Sequence, residues 1–344
     1  MNFISRFLNT RMQTFITKVS APHFNALKED QERLMSELSA SVTAATASIR
    51  RQLVFFETLR SFQAQVNESR TRESATGVAD LAANNFPDEL RRLIREEAGL
   101  EAIIPTSESV ANLLVELEFM RINKLLLKPV FRALAGKRVL YAGQAYYNAW
   151  YLSRALRKLG WKADVLNWDT NQTSQIYYHG EDYRFDGIAT DEVARNLSFY
   201  VTSLYSYDIF HFSNAHGICF GFSLQSLFEQ HFGKYSEIHL LKDFGKKIVY
   251  SNNGCQDGVS QTSFSQWGLE SVCSICRWRN EPTVCSDERN LTWGEFRNSV
   301  ADFQCLLGGN RVDYNDVPRV HEVPEFYCVD KDIWHPLLEI PEAF

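Results

Sequence analysis

Along the first seventy residues, apolar positions recur in helical steps. In MNFISRFLNTRMQTFITKVS, Phe3, Ile4, Phe7, Leu8, Met12, Phe15, Ile16 and Val19 mark one stripe, accompanied by Arg6, Arg11 and Lys18 and by no acidic residue. This predicts an amphipathic helix over residues 1–20. Packing against the rest of the region is the ordinary use of such a stripe, and contact with an anionic membrane surface is the alternative, to which three cations add only a modest attraction. Pro22 suits the first turn of a following helix. From His23 to Arg70 no Gly or Pro interrupts a row that includes Leu34, Leu38, Val42, Ile49, Leu53 and Phe56 at mixed three- and four-residue steps. One long helix, or two collinear ones, is expected. The heptad register drifts through the Ala/Ser/Thr-rich stretch Ser39–Ser48, which favours packing against neighbouring helices over a regular coiled coil and leaves homo-oligomer formation through these helices open. Residues 73–85 read as a connection, Pro87 opens a short helix to Glu97, and Thr106 and Ser107 resemble the cap of another helix running towards Ala133. Pro129 should kink or break that last helix. Residues 1–136 assemble no catalytic set and read as a packing or assembly module.

From Gly136 the texture changes. Lys137–Gly143 reads as a buried strand ending in a glycine turn, Tyr146–Leu159 as a helix and Lys162–Trp168 as a second strand. That is a βαβ unit, and it predicts an α/β fold with a Rossmann-like parallel sheet over residues 137–344. Asp208–Ser213 and Lys246–Ser251 are further strands, with helices at Phe222–His231 and Glu237–Phe244 between them. Such sheets bind ligands beyond the carboxyl ends of their strands, so the loops after Ala142, Phe212 and Tyr250 are where chemistry is expected.

Those loops carry a resemblance. KRVLYAGQAYYNAWYLSRALRKLGWKADVLN, YDIFHFSNAHG and KKIVYSNNGCQDG resemble successive strand-loop-helix pieces of the N-terminal, acceptor-side domain of GT4-like GT-B glycosyltransferases, and HEVPEFYCVDKDIWHP is similar to the segment that closes that domain. The likeness runs from about Lys137 to Pro336. It implies glycosyl transfer from a nucleotide sugar to a glycan or other acceptor. In the family a second domain, of roughly 150–200 residues, binds the nucleotide sugar; this chain ends at Phe344, so the resemblance implies that the donor half is missing and the chain is inactive alone. It further implies catalytic roles for His216, in the loop past the third strand, and Asp257, although Cys255 and Gln256 intrude where the family sets an acid close behind a glycine. Gly143, Gln144, Asn253 and Gly254 are the implied substrate-binding positions. His211 lies in the strand itself, and a structural, hydrogen-bonded role is the plain alternative for either histidine. A lone glycine after the first strand falls far short of a G-x-G-x-x-G fingerprint, so NAD binding is not expected. Asp330-Lys331-Asp332 has the Asp-x-Asp form of a GT-A metal site, but too little chain follows to build that fold's acceptor half.

Composition adds limits. At 344 residues two structural units are the fair expectation, and a formal net charge of -6 gives no global reason to expect nucleic acid. No uncharged apolar run approaches the roughly 18–20 residues of a membrane span, and no secretory signal opens the chain, which places it in the cytoplasm, peripheral to a membrane if residues 1–20 dock there. Of seven cysteines, Cys255, Cys273, Cys276 and Cys285 lie close together in sequence. The two-residue spacer of Cys273 and Cys276 lets two thiolates meet one tetrahedral zinc ion, with Cys255 and Cys285 completing a structural site; scattered core or surface thiols and redox chemistry are the alternatives. Cys219, Cys305 and Cys328 read as ordinary buried thiols. A non-enzymatic, zinc-stabilised interaction module is the second functional reading.

Overall fold

The computed structural model describes the backbone of residues 2–76, 85–100, 109–143, 148–168, 181–187, 189–213, 219–251, 260–265, 272–306 and 320–322. The first element, α1 (Asn2–Thr76), is one continuous helix, and it passes through Pro22 rather than starting there. A proline removes one ladder bond at about 3 kcal/mol, a cost that a helix of 75 residues absorbs across its intact flanking turns. The chain divides into two compact units, residues 1–60 and 61–344.

In the first unit every described side chain from Lys28 to Val54 is exposed, where packing against neighbouring helices was expected. Local interactions support the helix there. Lys28 faces Glu32 at 3.9 Å and Arg33 faces Asp30 at 3.0 Å, while the hydroxyls of Thr43 and Thr46 each donate to the carbonyl one turn back. Among the described residues, no helix is long and apolar enough to cross a membrane.

The second unit follows α1 with α2 (Phe86–Glu97), α3 (Val110–Ile122) and α4 (Lys124–Leu134). Pro87 stands in the first turn of α2, as expected. The break after α3 falls at Asn123, whose side-chain amide donates to the Phe119 carbonyl at 2.9 Å, and α4 runs on through Pro129. The carbonyl that Pro129 leaves without a ladder donor belongs to Leu125, a residue 82% exposed, where water can satisfy it. Of these, α2 and α3 meet Tyr205 in a buried polar network. Glu116 is fully buried; Arg91 donates to both its carboxylate oxygens at 3.0 and 3.2 Å, Arg95 donates at 2.8 Å, and the Tyr205 hydroxyl donates at 3.0 Å. Removing one partner of such a set typically costs about 3–5 kcal/mol because the remaining charge is left buried.

The α/β part runs β1 (Arg138–Ala142), α5 (Asn148–Lys158), β2 (Lys162–Asn167), β3 (Tyr183–Arg184), α6 (Val193–Ser206), β4 (Ile209–Phe212), α7 (Phe222–Phe232), α8 (Ser236–Asp243), β5 (Lys247–Ser251), α9 (Gln261–Ser265), α10 (Val272–Ile275), α11 (Asp287–Val300), β6 (Phe303–Leu306) and β7 (Val320–Glu322). All neighbouring strands pair in parallel, in the order β3-β2-β1-β4-β5-β6-β7. The expected α/β class and Rossmann-like parallel sheet are present. The order reverses between β1 and β4. Val139, Tyr141, Ala163 and Val165 pack on Ala149, Leu152 and Leu156 of α5, covering one face; on the other, Phe210, Phe212 and Tyr250 meet Phe220 and Trp293 edge to face or tilted.

At the amino edge, Asp208 accepts hydrogen bonds from the Gly136 backbone at 2.8 Å and from Arg138 Nε and Nη2 at 2.6 and 2.9 Å, and Lys246 stands 3.6 Å away. Asp302 similarly holds Lys242, Lys247 and the Ile248 backbone N–H. That edge is closed by mutually satisfied charges.

One buried acid has no such partner. Glu237, in the first turn of α8, is 2% exposed, and neither carboxylate oxygen has a hydrogen-bond partner. Burial pushes its pKa from the ordinary 4.5 up to about 8; the Cys219 backbone N–H, close by but outside hydrogen-bond geometry, offsets part of this and Glu229 adds to it. The folded state therefore holds a proton that the unfolded chain has released, so Glu237's contribution is fully present below pH 4.5 and is lost as pH rises to about 8. Lys246, pushed down by burial to about 8, remains charged in both states over most of that window. Urea unfolding between pH 5 and 8 should show stability falling with pH in the native chain. In Glu237→Gln that slope should flatten; an unchanged slope would assign the effect to another group.

Candidate functional site

In a parallel sheet the residues at one register point to the same face. Tyr141 pairs with His211, and His211 with Val249, so Gly143, Ser213 and Ser251 follow one step further towards the carboxyl edge on that face, beside Asn167 of β2. Asn167, His211, Ser213 and Ser251 are all buried. His211 Nε2 and Ser251 Oγ share a short hydrogen bond of 2.5 Å, and the imidazole lies 4.9 Å from the Tyr141 ring. The face is apolar near the amino edge, at Val139 and Val165, and polar at the carboxyl edge, where β1 and β4 part and a parallel sheet opens its crevice.

Two buried polar atoms at this edge lack partners. Asn148, the first residue of α5, is 3% exposed and its Oδ1 accepts no hydrogen bond; Trp168, just past β2, is 4% exposed and its Nε1 donates none. Leaving a buried donor or acceptor unmade costs about 1–3 kcal/mol, so each is a place where a bound molecule or an ordered water gains. Gly143 closes β1 at φ 124, a backbone conformation that L side chains rarely adopt, and its N–H donates to the Leu166 carbonyl at 3.3 Å. Near the same edge two chain segments touch. A Cβ on Gly187 would come within 2.8 Å of the Gly221 Cα, and one on Gly221 within 2.5 Å of the Gly187 Cα. Gly187 N–H donates to the Trp168 carbonyl at 2.7 Å and its own carbonyl accepts from Ser223 N–H at 2.9 Å, which ties the start of α7 to the end of β2.

Of the residues expected to act, Gly143 stands at the carboxyl edge, while Gln144, His216, Asn253, Gly254, Cys255 and Asp257 lie outside the described residues. Asp330 to Asp332 lie outside them as well. Histidine chemistry at this edge is supplied, among described residues, by His211, which reads from sequence as a strand residue; its partner Ser251 and the orphaned Asn148 and Trp168 carry no sequence motif. Position at a strand's carboxyl end is the only sequence signal that marks them.

The cysteine-rich segment folds back on itself. Cys273 lies in α10, Cys276 follows it, and a turn over Arg277–Val284 returns the chain so that Glu281 and Cys285 form an antiparallel bridge. Burial pushes the Cys273 thiol up, with the neighbouring Cys285 and Cys276 thiols adding to the shift. Cys285 is buried, and its Sγ accepts from Gln261 Nε2 at 3.5 Å and Asn290 Nδ2 at 3.7 Å, while Cys276 is exposed. Among the described residues, no three His, Cys, Asp or Glu side chains are grouped to hold a metal ion. Cys219 and Cys305 are buried as expected, and Cys328 lies outside the described residues.

No protein-family model, curated protein or solved structure matches the chain.

The glycine crossing gives a direct check on this edge. Gly221 and Gly233 both have φ near 100°, but a Cβ on Gly233 meets open space. Gly233→Ala should cost only the backbone strain of about 1–3 kcal/mol. Gly221→Ala should cost clearly more in urea unfolding because a clash is added; equal losses would mean that the two segments do not touch.

Proposed function

We propose that the α/β unit binds a hydroxyl-rich small molecule at the carboxyl edge, between the ends of β1 and β4, as the acceptor-side half of a GT-B glycosyltransferase. The observation that carries this reading is the polarity of that edge: the His211–Ser251 pair across β4 and β5 on one side of the point where the sheet reverses its order, and the unpartnered Asn148 and Trp168 atoms beyond the ends of β1 and β2 on the other. Donors and acceptors at a few fixed points in an apolar surround suit a glycan acceptor, whose hydroxyls both donate and accept. The nucleotide sugar belongs to the second domain of such enzymes, so catalysis by this chain alone is not part of the proposal. His216 and Asp257, with Gln144, Asn253 and Gly254, stay in it as the implied loop residues. Saturation-transfer NMR of the full chain against a panel of mono- and oligosaccharides should detect binding that Ser251→Ala weakens severalfold, without turnover of nucleotide sugars. Robust sugar transfer by these 344 residues, or saccharide binding unchanged in Ser251→Ala, would sink the assignment.

The alternative, a non-enzymatic assembly module, is favoured by the exposed apolar residues of α1. Structural zinc is compatible with either reading. It rests on the sequence spacing of Cys273, Cys276 and Cys285, with Cys255 as fourth ligand. Elemental analysis of chain purified without chelator should find one zinc per molecule, lost in Cys276→Ser; a metal-free, stably folded chain would exclude it.

A further inference from the structure

In the first unit, Met35, Leu38, Val42, Ile49 and Phe56 of α1 are all exposed, between 44% and 60%. With Ala45 they repeat at steps of three and four, and Met35, Val42, Ile49 and Phe56 are each seven residues apart; Gln52 is the one polar residue in the row. The drift expected from the longer row that starts at Phe24 does not apply to this one: taken from Met35, it keeps one heptad register through the Ala/Ser/Thr-rich stretch, with Leu34 and Leu53 flanking it. A row of this kind spans roughly 30 Å at 1.5 Å per residue and is the seam that two helices bury against each other.

Charge along the same segment is polarised. Residues 28–37 hold Glu29, Asp30, Glu32 and Glu37 against Lys28 and Arg33, so 2 − 4 gives −2; residues 50–60 hold Arg50, Arg51 and Arg60 against Glu57, so 3 − 1 gives +2. No charge lies between Glu37 and Arg50. The centre, Ser39–Ser48, is made of small side chains apart from Val42. A parallel pair would set the acidic end on the acidic end. An antiparallel pair sets acidic on basic, and the register that does so faces Leu38 with Ile49 of the other copy and Val42 with Ala45. The apolar row and the charge pattern thus select the same alignment independently.

We propose that the α1 segment from Leu34 to Phe56 pairs antiparallel with the same segment of a second copy of this chain. The pairing is independent of any ligand at the carboxyl edge of the sheet.

Sedimentation equilibrium of the full chain at low ionic strength should give a dimer whose dissociation constant rises at least tenfold in Leu38→Glu/Ile49→Glu; circular dichroism checks that this variant remains helical. Orientation is read from Met35 replaced by the photocrosslinker p-benzoylphenylalanine, which should capture residues 49–56 of the second copy. Capture of residues 31–39 would overturn the antiparallel arrangement. A native chain that stays monomeric at about 100 µM protomer, a concentration that favours association by mass action, or one that is monomeric and binds anionic vesicles through Leu38 and Ile49, would overturn the pairing itself.

Discussion

The buried carboxylate of Asp208 fixes the seam on which the α/β unit is built. It takes hydrogen bonds from the Gly136 backbone and from Arg138 at the start of β1, it sits just ahead of β4, and Lys246 reaches it from the start of β5. Three strands that are distant in sequence are aligned at their amino ends by one anion, and a charge so deeply placed tolerates no other arrangement of its partners. Sequential order reverses at this seam. Closing it with charge at the amino edge leaves the carboxyl edge as the end of the sheet where polar groups can serve a ligand, and His211, Ser251, Asn148 and Trp168 are found there. Arg138, Asp208 and Lys246 act on that edge only by holding register.

The α/β class, β1, β2, β4 and β5 were legible because each is a short apolar run bounded by turn residues, and the helices between them carry their own period. The strands β3, β6 and β7 were not. Two to four residues long, they have too little periodicity to stand out, and they exist through pairing with neighbours that are already in place. Pro129 misled because a proline's missing N–H matters only where its acceptor is buried; here the acceptor belongs to exposed Leu125. Asn123, an ordinary residue to read, makes the break through a side-chain bond that sequence does not display.

The candidate site was legible by place and not by residue. Strand-end logic led to Gly143 and to the ends of β4 and β5, but the pair formed by His211 and Ser251 depends on the register of two strands forty residues apart. Orphaned atoms such as Trp168 Nε1 are visible only once burial is known. The Gln261 and Asn290 amides that reach Cys285 likewise belong to separate helices, and no spacing rule joins them.

The contact of Gly187 with Gly221 has a consequence beyond this molecule. Backbone meets backbone there with no room for a β-carbon on either side, so the two positions are a single unit of inheritance: a change at one is unrescued by any change at the other. Gly187 stands just past β3, after Phe185 and Asp186, and Gly221 opens α7 thirty-four residues later, so the chain holds two distant positions to hydrogen as the only side chain for one contact.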